Sequence, residues 1–362
     1  MISSLEEARK EINRIDEEMA KLFEGRMECA KVIAEYKKER GLPILDEQRE
    51  KEIIKKNSKL IEDEVIKEYY ISFLKNNMAT SRSYQARLIS GARVAFSGTE
   101  GAFAHIAAKK LFPDAEIIAY SDFKSAYRAV ENGECDLCVL PVENSYNGEV
   151  GQVTDLMFSG SLYVNRMMEL AVDQALLGVP GAKIEDIKTV VSHPQALGQC
   201  VEYIRKNHFL TEEYSNTALA AKYVHELGDK SIGAIASSDA AEIFGLEVID
   251  KNINEARSNT TRFAVFSRAE ALRDPKNFGT HSIILFTVRN EAGALAKAID
   301  VIGSHGFNMR TLRSRPMKEL LWEYYFYVEA EGNVKTEAGK EMMAELSKFC
   351  DKLKFVGSYV KY

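Results

Sequence analysis

The first ninety residues place their apolar positions at helical spacing. Leu5, Ala8, Ile12, Ile15, Met19, Leu22, Cys29, Ile33 and Tyr36 recur at steps of three, four or seven, which puts their side chains on one face of an α-helix. Ser3 or Ser4, followed three residues on by Glu6 or Glu7, forms a capping box at its start. The spacing predicts one helix to about Arg40 and two shorter ones over about 46–57 and 63–88. Only two Gly and one Pro occur in this stretch. A first helix of that length is roughly 50 Å or more, too long to bury its stripe against two shorter helices. The simplest remedy is a homodimer or a higher homo-oligomer.

At Arg93 the pattern changes. Short apolar runs, RVAFSG, AEIIAY, DLCVLP, KTVVSH, SIGAIASS and RFAVFS, alternate with helical stretches as far as about Arg268, the signature of α/β structure. Several runs end in small polar residues and then open a helix, as at Ser97-Gly98-Thr99, Ser192-His193-Pro194 and Ser237-Ser238-Asp239. Helix starts presented in this way favour anions, because their N–H groups are unpaired and the dipole is positive there. After the polar linker RAEALRDPKNFGT the chain reads strand, helix (GALAKAIDVIGSHG), strand (FNMRTLRSRP), strand (LWEYYFYVEAEG), helix over 336–351 and strand (FVGSYVKY). The order βαββαβ is that of a ferredoxin-like unit. The predicted organisation is therefore multidomain: all-α over 1–90, α/β over 92–268 and βαββαβ over 280–362.

Composition changes this picture little. A chain of 362 residues, 46% hydrophobic and 28% charged, suffices for two or three separate cores. No apolar run approaches the roughly 18 residues that span a bilayer, and the first residues lack the apolar core of a secretory signal, so a cytoplasmic protein without membrane attachment is expected. A formal net charge of −6 argues against a nucleic-acid binder, so the cations for an anionic substrate must be placed locally. The five scattered cysteines read as reduced thiols. Cys135 and Cys138, although spaced C-x-x-C, fall in a buried-strand pattern and read as core residues. Neither metal nor cofactor is expected.

The chemistry-bearing positions begin on the first helix. Arg26 stands where the apolar stripe calls for a greasy residue, and Lys37, eleven residues later, returns to within about 20° of the same face. Both could snorkel to solvent, but Ser81 and Gln85 continue the stripe of Tyr70, Leu74 and Met78 on the third helix and are polar too. A polar pocket in a helical bundle fits better. With Arg9, Asp46, Arg49 and Glu50 at matching spacings, the segment resembles the all-helical class of chorismate mutase. That resemblance implies Arg9 and Arg26 clamping the carboxylates of chorismate, Lys37 and Gln85 donating to the ether oxygen of the [3,3] rearrangement, and Asp46, Arg49, Glu50 and Ser81 orienting the ring hydroxyl and side-chain carboxylate. Arg49 has a second reading as a helix-surface partner of Glu50 or Asp46. Arg9 lies seventeen residues, about 25 Å, from Arg26 on one helix, so it shares a small ligand only across a dimer.

Between residues 94 and 263, VAFSGTEGAFAHIAA, LPVENSYNGEV, SHPQALGQC and NTTRF follow in order. Their order and spacing resemble prephenate dehydratase. The resemblance implies two α/β lobes of periplasmic-binding-protein type with the site between them and prephenate as substrate. It makes Thr261 the group that orients or relays a proton to the leaving hydroxyl, with Glu143, Asn144, Ser145, Ser192, His193 and Gln195 lining the cleft and Arg262 a candidate for a substrate carboxylate. Adjacent strand residues face opposite ways, so Thr261 and Arg262 share a ligand only at a strand end or bulge. His193 has a second reading as a structural cap of the turn before Pro194, and Glu143 as a loop-holding partner of a neighbouring cation. The segment departs from the family at Thr99, where Pro is usual, and at Ala102, where a hydroxyl is usual.

Gly293-Ala294-Leu295, GFN at 306–308 and Ser314-Arg315-Pro316 resemble the ACT domain of prephenate dehydratases. This implies a phenylalanine site at a domain–domain interface that includes Gly293, Ala294, Leu295, Asn308, Arg313, Ser314, Arg315 and Pro316. Arg313 replaces the family's usual Glu, and a cation there opposes an amino acid's ammonium group. A unit that only dimerises the enzyme is the simpler alternative. For the whole chain the competing functions are an arogenate dehydratase and a non-catalytic sensor of small anions or amino acids.

Overall fold

The structure is a computed structural model and describes residues 4–255, 259–270, 280–317 and 323–359. It divides into two compact units, Met1–Arg93 with the short pieces Asp114–Glu116 and Gly133–Asp136, and the remainder.

The first unit holds α1 (Leu5–Arg40), α2 (Glu47–Asn57) and α3 (Glu64–Ser90). Their ends follow from side-chain chemistry. The Ser4 hydroxyl accepts from the Glu7 N–H at 3.2 Å, and Gly41 closes α1 at φ 63°, a left-handed conformation glycine adopts without steric cost. Asp46 and Asp63 cap α2 and α3 in the same manner. The buried residues on α1 are Ala30 and Ala34, and those on α3 are Leu74, Met78, Ser81 and Gln85. The rest of the α1 stripe is uncovered within one copy: Ile12, Ile15, Leu22, Phe23 and Ile33 are all exposed, Leu22 by 74%.

The second unit contains three sheets. Chain order is β1 (Arg93–Ser97), α4 (Phe103–Leu111), β2 (Glu116–Tyr120), α5 (Phe123–Glu131), β3 (Leu137–Asn144), β4 (Gly148–Glu149), α6 (Gly151–Ser159) and β5 (Tyr163–Ala171). The second sheet follows with β6 (Ala175–Gly178), β7 (Thr189–Ser192), α7 (Pro194–Gln199), α8 (Val201–Lys206), β8 (Leu210–Glu213), α9 (Thr217–Leu227), β9 (Ile232–Ala236), α10 (Ser238–Phe244) and β10 (Glu247–Asp250). The chain then returns as β11 (Thr260–Ser267). Strand order is β2-β1-β3-β11-β5 in the first sheet, with β4 on β3, and β10-β6-β9-β7-β8 in the second. Because β11 re-enters the first sheet between β3 and β5, the chain crosses between the sheets twice and makes two lobes. The six runs read as strands in the sequence are β1, β2, β3, β7, β9 and β11. The sequence reading missed β4, β5, β6, β8 and β10; β8 is the fully exposed LTEE at a sheet edge and carries no apolar alternation to betray it.

The third sheet comprises β12 (His281–Val288), β13 (Asn308–Pro316), β14 (Tyr324–Glu331) and β15 (Cys350–Tyr359), in the order β13-β14-β12-β15, with α11 (Ala294–Ser304) and α12 (Glu337–Leu346). Ile284, Phe286, Ala298, Ile302, Val328, Met342 and Leu346 form its core. The order is ferredoxin-like. One expected boundary is corrected: the last helix stops at Leu346, well short of 351, because Cys350 already pairs with Val288 on β12. The sheet is grouped with the α/β lobes in one compact unit. At Gly357 (φ 156°) a Cβ would run into the carbonyl of Val164 on β5, so β15 lies directly on the first sheet.

Candidate active sites

In the helical unit the Arg26 guanidinium donates to the Ser81 hydroxyl and, at 3.4 Å, to the carbonyl of Asn77, which ties α1 to α3 through polar groups. Gln85, one turn beyond Ser81, is 7% exposed, and its amide oxygen has no protein partner. A buried polar atom left unmatched costs about 1–3 kcal/mol unless a ligand or water meets it. The Lys37 ammonium donates to the carbonyl of Ile44 in the α1–α2 connection. Glu50 is held by Arg82 across α2 and α3.

Other expected members of this set are placed elsewhere. The Asp46 carboxylate accepts from the Arg49 N–H at 2.9 Å and so serves as the cap of α2. Arg49 is exposed and pairs with Glu52 at 3.3 Å, neither of the partners its second reading anticipated. Arg9 is exposed and lies about 25 Å along α1 from Arg26. One copy therefore assembles Arg26 with Ser81, and Gln85 one turn on, without Arg9.

In the α/β lobes a cleft of about 330 Å³ includes Asn144, His193, Gln195 and Thr261 from the expected set among its lining. Its centre is a hydrogen-bond array whose polarity is fixed. The Asn144 amide oxygen accepts from the N–H groups of Tyr146 and Asn147, both at 3.0 Å. Backbone N–H can only donate, so the other end of the amide must be the NH₂ group. That group donates to Asn259 Oδ1 at 2.8 Å and to Thr261 Oγ1 at 2.9 Å. Thr261 Oγ1 thus accepts, and its own O–H remains available to donate into the cleft.

The ionisable side chains among the lining residues are Glu149 and His193. An anion held here must rely on neutral donors and helix starts. Phe103 opens α4, Val150 caps α6, His193 caps α7 and Asn216 caps α9, and all four line the cleft. Helix starts supply unpaired N–H groups and a positive dipole end. His193 accepts from the Gln195 N–H through Nδ1 at 3.2 Å, which in the neutral ring leaves Nε2 carrying the proton and able to donate. The hydroxyl absent at Ala102 is the side-chain cap that α4 lacks, and the buried Thr99 hydroxyl nearby has no protein partner.

The structure takes four expected residues out of the cleft lining. Ser192 is fully buried with its hydroxyl on the Ile235 carbonyl, and Ser145 Oγ accepts from the Thr260 N–H at 2.9 Å. Glu143 and Arg262 pair in register on β3 and β11, one residue from Asn144 and Thr261, and face away from the cleft toward the third sheet. The ladder shifts register only after Arg262, so strand alternation keeps Thr261 and Arg262 on opposite faces. Arg262 therefore meets protein carboxylates, those of Glu143 and Glu329, at 3.1 and 2.7 Å.

In the third sheet Gly293 starts α11 at φ 83°, with Ala294 and Leu295 in its first turn. Arg313 pairs with Glu143, so its charge is neutralised within the chain. Arg315 bonds Asp155 at 2.9 Å and reaches Glu149 at 3.6 Å, while Ser314 lies between them on β13. Asn308 donates to Glu331 at 2.8 Å. On β13 Asn308 pairs with Glu331 and Pro316 with Tyr324. The two ends of this expected set are thus eight residues, about 26 Å, apart, and one copy does not bring them around one small ligand.

A family model for chorismate mutase type II matches residues 8–86, and one for prephenate dehydratase matches residues 94–271. The bifunctional chorismate mutase/prephenate dehydratase of Aquifex aeolicus is 33% identical over 368 residues, covering 99% of each chain. The chain belongs to the chorismate mutase/prephenate dehydratase family. Arogenate dehydratase/prephenate dehydratase 1 of Arabidopsis thaliana is 33% identical over 285 residues, 75% of this chain and 72% of the relative. Among solved structures, prephenate dehydratase from Arthrobacter aurescens in complex with L-Phe superposes with a TM-score of 0.67 at 26% identity, over 74% of this chain and 89% of that one.

Within the dehydratase segment, the cleft residues that escaped the sequence reading include Asn259, Gln199 and Gln174. Asn259 and Gln199 lay inside the motifs NTTRF and SHPQALGQC, and Gln174 followed a run with no motif. Gln174 is 2% exposed with its amide oxygen unpartnered, and the buried Asn259 has its amide nitrogen unpartnered. Glu329 of the third sheet, also missed, sits in YVEAEG, where period-2 alternation gave it no chemical distinction. No helix of the described residues is long and apolar enough to cross a membrane.

Proposed function

We propose that this enzyme of phenylalanine biosynthesis rearranges chorismate to prephenate in the helical unit and converts prephenate to phenylpyruvate in the α/β cleft. The observation that carries the second step is the fixed polarity of the Asn144–Thr261 pair. The balance is prephenate and one proton giving phenylpyruvate, CO₂ and water. Aromatisation drives it, so the protein has to hold the carboxylates at the helix starts and help the ring hydroxyl leave. The Thr261 O–H donates to that hydroxyl, and Asn144 prevents Thr261 from turning its proton inward. An alcohol is too weak an acid to ionise, so Thr261 orients or relays and does not supply the proton from a shifted pKa.

In the mutase site no nucleophile is required. Arg26 holds a carboxylate in the compact conformer, Lys37 and Gln85 stabilise charge that develops on the ether oxygen, and Glu50 and Ser81 orient the ring. Arg9 joins from a second copy. The uncovered apolar stripe of α1 supports a homodimer in which that exchange occurs. We place the enzyme in the cytoplasm. The third sheet, read as an ACT domain, takes phenylalanine between copies and slows the dehydratase, since one copy separates Asn308 from Pro316.

Prephenate and arogenate supplied separately to the full chain test this reading. Phenylpyruvate from prephenate, at a rate lowered by millimolar phenylalanine, is the expected result. Turnover of arogenate alone would transfer the assignment to an arogenate dehydratase, and an unchanged rate with phenylalanine would remove the regulatory role.

A further inference from the structure

The residues that face the cleft and those that face the third sheet alternate on the same two strands. Asn144 and Thr261 point into the cleft; their neighbours Glu143 and Arg262 point the other way. The Arg262 guanidinium is gripped by Glu329 on β14 through two bonds of 3.0 and 2.7 Å, with the Tyr359 hydroxyl of β15 at 3.0 Å. Glu329 is 4% exposed and also accepts from the hydroxyls of Tyr359 and Tyr327. The second oxygen of Glu143 receives Arg313 from β13. Three strands of the third sheet thus hold the back of the two strands whose fronts form the dehydratase centre, with two carboxylates against two guanidinium groups.

Burial by itself lowers the pKa of the Arg262 guanidinium, but the hydrogen bonds and charge of Glu329 outweigh that and leave it raised. Burial likewise opposes the charge of Glu329, and Arg262 and Tyr359 reverse the effect, leaving its carboxyl below the usual range. Both groups are charged: arginine keeps its proton in proteins, and Arg262 with Tyr359 offsets the burial of Glu329. The pairing of β11 with β3 changes register immediately after Arg262, whereas its pairing with β5 runs without a shift from Thr260 to Val265, so the irregularity is confined to the β3 side next to Arg262.

We infer that Glu329 is a positioning residue of the dehydratase, acting through Arg262 to fix the Thr261–Arg262 step of β11 and so the aim of the Thr261 hydroxyl. The inference rests on the reading of Thr261 given above. A bidentate carboxylate–guanidinium pair fixes direction as well as distance, and a displacement of about 1 Å at a reacting group costs on the order of 10²-fold in rate. The third sheet is on this account part of the catalytic apparatus, and its strand β13 grips the residue next to Asn144.

The test uses the full chain with prephenate as substrate. Glu329→Gln keeps the shape and removes the charge; kcat should fall by about 30-fold or more while KM stays within about threefold. The double variant Arg262→Met/Glu329→Met removes both charges at similar volume and should recover the thermal midpoint, as replaced buried pairs commonly do, without recovering kcat. A wild-type kcat in Glu329→Gln, or kcat and midpoint both recovered in the double variant, would overturn the inference and leave a structural ion pair. Should Glu329→Gln fail to fold, the double variant and Tyr359→Phe give the same reading. Thr261→Ala is measured alongside: if it stays active the role of Thr261 is wrong, whereas an inactive Thr261→Ala with an active Glu329→Gln removes the positioning role alone.

Discussion

Thr261→Ala lowers kcat for prephenate by about 10²–10³-fold and leaves the rate of chorismate consumption at the wild-type value. The size follows from removing one preorganised hydrogen-bond donor. The selectivity follows from Thr261 and the helical residues Arg26 and Lys37 lying in separate compact units. Structural damage is a poor alternative, because the amide of Asn144 retains Asn259 Oδ1 as a partner at 2.8 Å when the threonine hydroxyl is gone. Prephenate binding should change little, since the carboxylates are assigned to helix starts and neutral amides. Initial rates at several prephenate concentrations, with thermal midpoints as a folding control, check the prediction. A loss shared equally with chorismate consumption would show that the substitution damages the whole chain.

The opposite separation is expected at the other end. Lys37→Ala reduces chorismate rearrangement by about 10²–10³-fold and leaves phenylpyruvate formation from added prephenate intact. Charge develops on the ether oxygen as the C–O bond breaks, and a compact ammonium is the strongest donor proposed for it. In the folded chain Lys37 also donates to the Ile44 carbonyl, so its removal should cost about 1.5–3 kcal/mol of stability. That is too little to unfold a helical unit with capped ends. Loss of ultraviolet absorption from chorismate gives the first rate and phenylpyruvate formation the second. Rearrangement at the wild-type rate in Lys37→Ala would mean that the polar pocket on α1 and α3 is not the mutase centre.

Much of the architecture was legible in the sequence because it is specified locally. Ser4 marks a helix start by its own chemistry, and the alternation of short apolar runs with helices marks the two-lobed segment. Thr261 and Asn144 were found because they sit in ordered motifs. What remained hidden depends on partners distant in sequence. Alternation showed that Thr261 and Arg262 face opposite ways, but only packing decides which face meets the cleft and which meets Glu329, 67 residues later. The pattern of the last helix ran on toward residue 351 until the pairing of Cys350 with β12 ended it. Arg313 read as a charge that opposes an effector; beside Glu143 it is instead one half of an ion pair within the chain. Gln174 and Asn259 show the same limit, since an unmatched amide becomes visible only once burial is known.

On the proposed function, one chain carries chorismate through both steps. Purified full-length protein given chorismate alone, with prephenate and phenylpyruvate followed over time, tests it most directly. Prephenate should appear first, and phenylpyruvate should follow without a second protein. Absence of phenylpyruvate, whether chorismate or prephenate is supplied, would contradict it.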